Sequence, residues 1–233
     1  MQMQQLAVRL QTVRTQIAAA AHNAGRTEGS VTLVAVSKGQ PPALVAAAAQ
    51  LGVAHFGENY LQEALPKIAA LPRLEASWHF IGRLQANKTR LVAEHFAWVH
   101  GLDRLQIAQR LAAQRAHHAP ALNVCIQVNV ADDARKGGVA LQEALPLAAE
   151  VSRLPRLTLR GFMCMVPAGL APAAQADAFG ALREKLQAAR AMGLDLDTLS
   201  MGMSADFVVA IAQGATMVRI GTAIFGPRFL PAE

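Results

Sequence analysis

Short apolar runs alternate with helix-like stretches eight times along this chain, and few architectures accept that pattern. Strands are expected over 31–37, 53–56, 77–81, 97–100, 122–130, 157–163, 198–201 and 216–220. Between them, helices are expected over 42–51, 61–70, about 87–94, from an Asp103 cap to about 117, and over 141–153, 172–192 and 205–213. A short turn or helix at 222–225 closes the series. The run VTLVAVSK (31–38) is β-branched and apolar without polar alternation, as in a strand buried on both faces of a parallel sheet. Eight such units in 233 residues predict an α/β fold, a single-domain (β/α)8 TIM barrel spanning 1–233. An open doubly wound sheet is the competing arrangement, but no GxGxxG follows the first strand. An extra helix within 1–25 carries Leu6, Leu10, Val13 and Ile17 on one face, which predicts that it packs on the barrel.

Composition narrows the function. Hydrophobic content is 53% and charged content 16%, as in a globular chain. No apolar run approaches the roughly 18 residues of a membrane span, and the glutamine-rich N-terminus lacks a secretory signal, so a cytoplasmic protein is expected. Cys125 and Cys164 form no CxxC pair and read as reduced core thiols. The seven histidines show no ligand spacing, so no metal site is expected. The net charge of +6 comes from scattered basic residues with little aromatic interleaving, so no nucleic-acid role is assigned to it.

Functional groups of a barrel gather at the C-terminal ends of its strands. Here those ends hold Lys38, Gly57-Glu58-Asn59-Tyr60, Gly82-Arg83, Asn129, Met163 to Met165, Met203-Ser204 and Arg219 to Thr222. Lys38 is either a solvated strand-end lysine or a partly desolvated amine able to form a Schiff base. Ser204, as N-cap of the seventh helix, and Gly221-Thr222 after the last strand are ordinary caps or the two halves of a phosphate site. Arg219, inward on the last strand, needs a partner: a core carboxylate such as Glu58 or Asp206, or the pyridine nitrogen of a cofactor. The methionines 163, 165, 201 and 203 read as core filling.

Seven motifs in order decide among these: VAVSK (34–38), HFGENY (55–60), WHFIGRLQANK (78–88), VNVADDARKGG (128–138), RGFMCM (160–165), LSMGMSAD (199–206) and VRIGTAIFG (218–226). Together they resemble the pyridoxal phosphate homeostasis (YggS/PROSC-like) family, related to the barrel domain of bacterial alanine racemase. The resemblance implies the fold-type III barrel of pyridoxal-phosphate proteins and pyridoxal 5′-phosphate held on Lys38 as a Schiff base. It implies a phosphate grip by Ser204, Gly221 and Thr222, with backbone near Met203 and Ile220, and Arg219 beside the pyridine nitrogen. Asn59 and His79 would line the pocket, and Lys136 would reach the cofactor or a second ligand site. Asp133 stands where a glutamate is usual, Phe229 where a tyrosine is frequent, and Arg83 occupies a variable position.

An arginine partner disfavours protonation of the pyridine nitrogen, which weakens the ring as an electron sink. Racemisation also needs a second base opposite the lysine, and the only tyrosine is Tyr60, read as a packing residue or a pocket hydroxyl. The expectation is therefore a monomeric, non-enzymatic holder of the cofactor. Its traffic would be with free pyridoxal phosphate, small amines and apo-enzymes. The alternatives are a pyridoxal-phosphate-dependent amino-acid racemase and a Schiff-base aldolase acting on a phosphorylated sugar.

Overall fold

The structure, a computed structural model, describes residues 2–131 and 137–227. Eight parallel strands close on themselves: β1 (Thr32–Val36), β2 (His55–Glu58), β3 (Ser77–Phe80), β4 (Trp98–Leu102), β5 (Leu122–Asn129), β7 (Leu157–Met163), β8 (Thr198–Ser200) and β9 (Met217–Ile220). Each pairs with its sequence neighbour in that series, and β9 pairs with β1 to shut the barrel. A two-residue strand, β6 (Val139–Ala140), adds to the edge of β5. Helices follow the strands: α2 (Pro42–Gln50), α3 (Leu61–Ala70), α4 (Thr89–His95), α5 (Leu105–Gln114), α6 (Ala144–Val151), α7 (Pro172–Ala191), α8 (Phe207–Ala212) and α9 (Thr222–Phe225). This is the (β/α)8 barrel expected from the sequence.

Parallel pairing explains the two-sided burial of the strands. The outer faces meet the helices in the main core, where Phe56, Phe162, Phe179 and Ile126 are fully buried. The inner faces form a smaller cluster of Val34, Trp98, Cys125, Met163 and Met217. The N-terminal helix α1 (Gln2–Asn23) buries Leu6, Leu10, Val13 and Ile17 and packs against α8 and α9, as its 3–4 spacing requires. One glycine is dictated by packing: Gly161 has φ +151°, and a Cβ there would lie 1.9 Å from the Thr198 carbonyl oxygen.

Three expected elements are corrected. The second strand runs from His55 to Glu58 because Gly57 and Glu58 pair with His79 and Phe80, so cross-strand bonding overrides their turn-like composition. Arg104, not Asp103, occupies the N-cap position of α5, and the Asp103 carboxylate instead accepts from Arg104 Nε at 2.9 Å. The seventh helix starts at Phe207 rather than 205, with consequences for Ser204 described below.

Candidate functional site

The mouth of the barrel is built around the turn after β1. Ser37 is buried, and its backbone N–H donates to the Gly57 carbonyl. Its hydroxyl donates to Glu58 Oε1 at 2.6 Å, while Lys67 Nζ of α3 donates to the Ser37 carbonyl at 2.7 Å and to the same Glu58 oxygen at 2.5 Å. On the other side of Lys38, Gly39 (φ +69°) donates its N–H to Glu63 Oε2 at 2.8 Å, and Gln40 N–H closes the turn on the Ser37 carbonyl. Lys38, half-buried, is thus carried on a turn clamped from both flanks by β2 and α3. Burial pushes the Glu58 carboxyl above its ordinary range, against the pull of Lys67 and Ser37.

Next to it, Asn59 is half-buried with its Oδ1 lacking a hydrogen-bond partner among the described residues. The loop after β3 presses on it: a Cβ on Gly82 would sit 2.2 Å from the Asn59 carbonyl oxygen. Tyr60 is 57% exposed and lines a cleft together with Asn59, Arg83 and Lys88, so it is not a packing residue.

Across the mouth, β8 ends in a sharp turn. Gly202 has φ +95°, and a Cβ there would meet Ala210 Cβ at 2.7 Å. Its carbonyl accepts from the Arg219 backbone N–H, tying the turn to β9. Ser204 does not cap a helix. Asp206 takes the N-cap position of α8 and turns its carboxylate back to the Met203 N–H, at 2.5 Å, closing a turn in which Ser204 is half-buried. The Met203 amide is therefore engaged within its own loop. Ile220 is fully buried in the outer core, so only its backbone can reach the mouth. Gly221 lies against β1, where a Cβ would be 3.1 Å from the Val36 carbonyl oxygen, and Thr222 beside it is exposed. Register places this loop beside Lys38, since Val34 pairs with Arg219 and Ala35 with Ile220.

Arg219 is buried, yet no described carboxylate pairs with it. Nη1 donates to Ser200 Oγ at 2.7 Å and Nη2 to the Cys164 carbonyl at 2.8 Å. Neither Glu58 nor Asp206 bonds to it, although the Asp206 charge acts on it, and burial lowers its pKa. Ser200 in turn meets His100 Nδ1 at 2.7 Å, His100 Nε2 meets His79 Nδ1 at 2.9 Å, and His79 Nε2 meets His55 Nδ1 at 3.0 Å. Both ring nitrogens of His79 are thus spent on other histidines, and Trp98 stacks on its ring at 5.3 Å. Burial and the neighbouring His100 and His55 hold His79 well below the usual histidine range. Burial and the Arg219 charge bring His100 down to about 3.

The structure therefore gathers Lys38, Asn59, Ser204, Arg219, Gly221 and Thr222 at strand ends on one rim. His79 sits deeper in the barrel, and Lys136, Asp133 and Phe229 lie outside the described residues. Both cysteines are buried and neither is in a disulfide, with Cys125 pushed up to about 12 by burial. Sequence reasoning missed the Ser37–Glu58–Lys67 clamp and the roles of His55, His100 and Ser200. The available signal was a polar residue at an inward position of β2, β3, β4, β8 and β9, each of which needs a buried partner.

Residues 8–228 match the family described as alanine racemase, N-terminal domain. Within that class, the chain belongs to the pyridoxal phosphate homeostasis protein family. It is 52% identical to the pyridoxal phosphate homeostasis protein of Pseudomonas aeruginosa over 226 residues, covering 97% of each chain. It is 48% identical to that of Escherichia coli K12 over 235 residues, covering 97% of this chain and 98% of the other. The solved structure of PipY from Synechococcus elongatus with pyridoxal phosphate bound superposes with a TM-score of 0.85 at 36% identity, covering 95% of this chain and all of PipY.

Proposed function

We propose that this protein holds pyridoxal 5′-phosphate on Lys38 through a Schiff base and serves intracellular supply of the cofactor, buffering or delivering it without ordinary amino-acid turnover. The observation that carries the reading is Arg219: a buried guanidinium whose described partners are a hydroxyl and a carbonyl, both neutral. Such a group suits an uncharged ring-nitrogen acceptor. The rim residues fit the rest of the cofactor. Asn59 stands half-buried beside Lys38 with its Oδ1 unpartnered among the described residues, and Ser204 and Thr222 supply hydroxyls able to donate to an anion next to Gly221, which packs directly on Val36. Lys38 would supply the amine that condenses with the cofactor's aldehyde, with loss of one water.

When bound, the cofactor supplies an electrophilic carbon conjugated to its ring. The residues of this chain decide how far that chemistry goes. Arg219 facing the ring nitrogen would disfavour its protonation, which would weaken the ring as an electron sink. Tyr60, the only tyrosine, is 57% exposed. The PipY structure with pyridoxal phosphate bound and the relatives named pyridoxal phosphate homeostasis protein support the cofactor-binding part of this reading.

The test is incubation of the pure protein and pyridoxal phosphate with amino acids in D2O, followed by transfer to an apo-enzyme. The expected result is no α-deuterium exchange above that of free cofactor, together with reconstitution of the apo-enzyme. Exchange or racemisation that disappears in Lys38→Ala would overturn the non-enzymatic reading.

A further inference from the structure

The line of polar groups through the barrel interior has a direction. Ser200 is fully buried, and among the described residues its hydroxyl has two hydrogen-bond neighbours, Arg219 Nη1 and His100 Nδ1. The guanidinium can only donate. If His100 Nδ1 also donated, the hydroxyl proton of Ser200 would be left in the core with no acceptor, which is unfavourable for a buried polar group. Ser200 therefore donates to His100 Nδ1. That puts the His100 proton on Nε2, where it is donated to His79 Nδ1, and the His79 proton on Nε2, where it is donated to His55 Nδ1. Electrostatics agrees, because the lone-pair side of every ring then points towards the arginine cation.

The chain ends at the opposite end of the barrel from Lys38. His55, the first residue of β2, lines a cavity of about 400 Å3 between α1 and the N-terminal ends of β1 and β2. The charged groups facing that cavity are Arg14 of α1, whose guanidinium donates to the Leu51 and Gly52 carbonyls, and Glu28 of the following loop. Trp98 covers one face of His79 and is itself capped by the Arg160 guanidinium 5.0 Å from its ring centroid. Arg160 is held by Asp197.

We propose that Ser200, His100, His79 and His55 are positioning residues: a one-way relay of neutral imidazoles, all protonated on Nε2, that fixes Arg219 at the mouth and extends its hold to the floor cavity. The link to the cofactor rests on Arg219 facing the pyridine nitrogen; the polarity of the relay does not.

The experiment is long-range 1H–15N NMR of the histidine rings in the full chain, without and with pyridoxal phosphate, on wild type, His55→Gln and His55→Leu. In wild type, His55, His79 and His100 should each show the neutral Nε2–H form at pH 7. The glutamine variant retains an oxygen that accepts from His79 Nε2–H, so the tautomers of His79 and His100 should persist. The leucine variant removes the acceptor, so the single tautomer of His79 should be lost and the absorption band of loaded protein should shift. A Nδ1–H or doubly protonated His79 or His100 in wild type, or a leucine variant with tautomers and band unchanged, overturns the relay. Wild type that shows the expected tautomers but never takes up pyridoxal phosphate sinks the site reading and leaves the relay standing.

Discussion

Lowering the pH from 7 to 5.5 should destabilise this protein through histidines that lie nowhere near its surface. His79 and His100 are neutral in the fold, held well below the usual range and at about 3 respectively, whereas in the unfolded chain each titrates near 6.5. Between those values the unfolded chain binds more protons than the folded one, so stability falls as pH falls. His100 alone contributes about 1.2 kcal/mol over this interval, and His79 adds to it in the same direction. For a chain of this length the His100 part alone corresponds to a melting temperature lower by roughly 2–5 °C. Glu58 works in the opposite sense, because its raised folded-state pKa makes the fold bind a proton that the unfolded chain releases. The assay is urea unfolding at pH 7, 6.3 and 5.5 on wild type and on Glu58→Gln, which removes the opposing carboxylate. The slope should be present in both and no shallower in the variant. Stability that is flat across this range in both proteins would refute the neutral, buried histidine chain.

Further outcomes follow from the clamp and the turns. Lys67→Met leaves Glu58 buried without its cation and should cost about 3–5 kcal/mol in urea unfolding, whereas Glu58→Met/Lys67→Met together should recover most of that loss. Gly202→Ala combines a left-handed backbone with a 2.7 Å Cβ clash, while Gly169→Ala has φ +78° and open space around it. The second should lose about 1–2 kcal/mol from backbone strain alone, and the first clearly more in the same denaturation assay.

The barrel was legible because its signal is local. Leu157–Met163 and Leu61–Ala70 coincide with their expected bounds, since a two-sided apolar run and an amphipathic turn pattern need no knowledge of their neighbours. Gly57 and Glu58 were not legible as strand, because only the ladder to β3 makes them so. The cap at Ser204 failed for a similar reason: Asp206, two residues on, competes for the same turn and wins the Met203 amide. Lys38, Arg219 and Gly221 stood out as polar or small residues at strand ends. The relay did not, because His100 and Ser200 are 100 residues apart and meet only once the barrel closes. Metal-ligand spacing is a pattern along the chain, whereas the partners of these histidines lie across it.

The central claim, a covalent link at Lys38, is tested most directly by the absorption spectrum of purified protein and of Lys38→Ala, each with and without added pyridoxal phosphate, followed by borohydride reduction and peptide mapping. Wild type should show a bound-cofactor band that the alanine variant lacks, and reduction should leave an adduct on Lys38. An equal band in Lys38→Ala, or an adduct that maps only to another lysine, would contradict it.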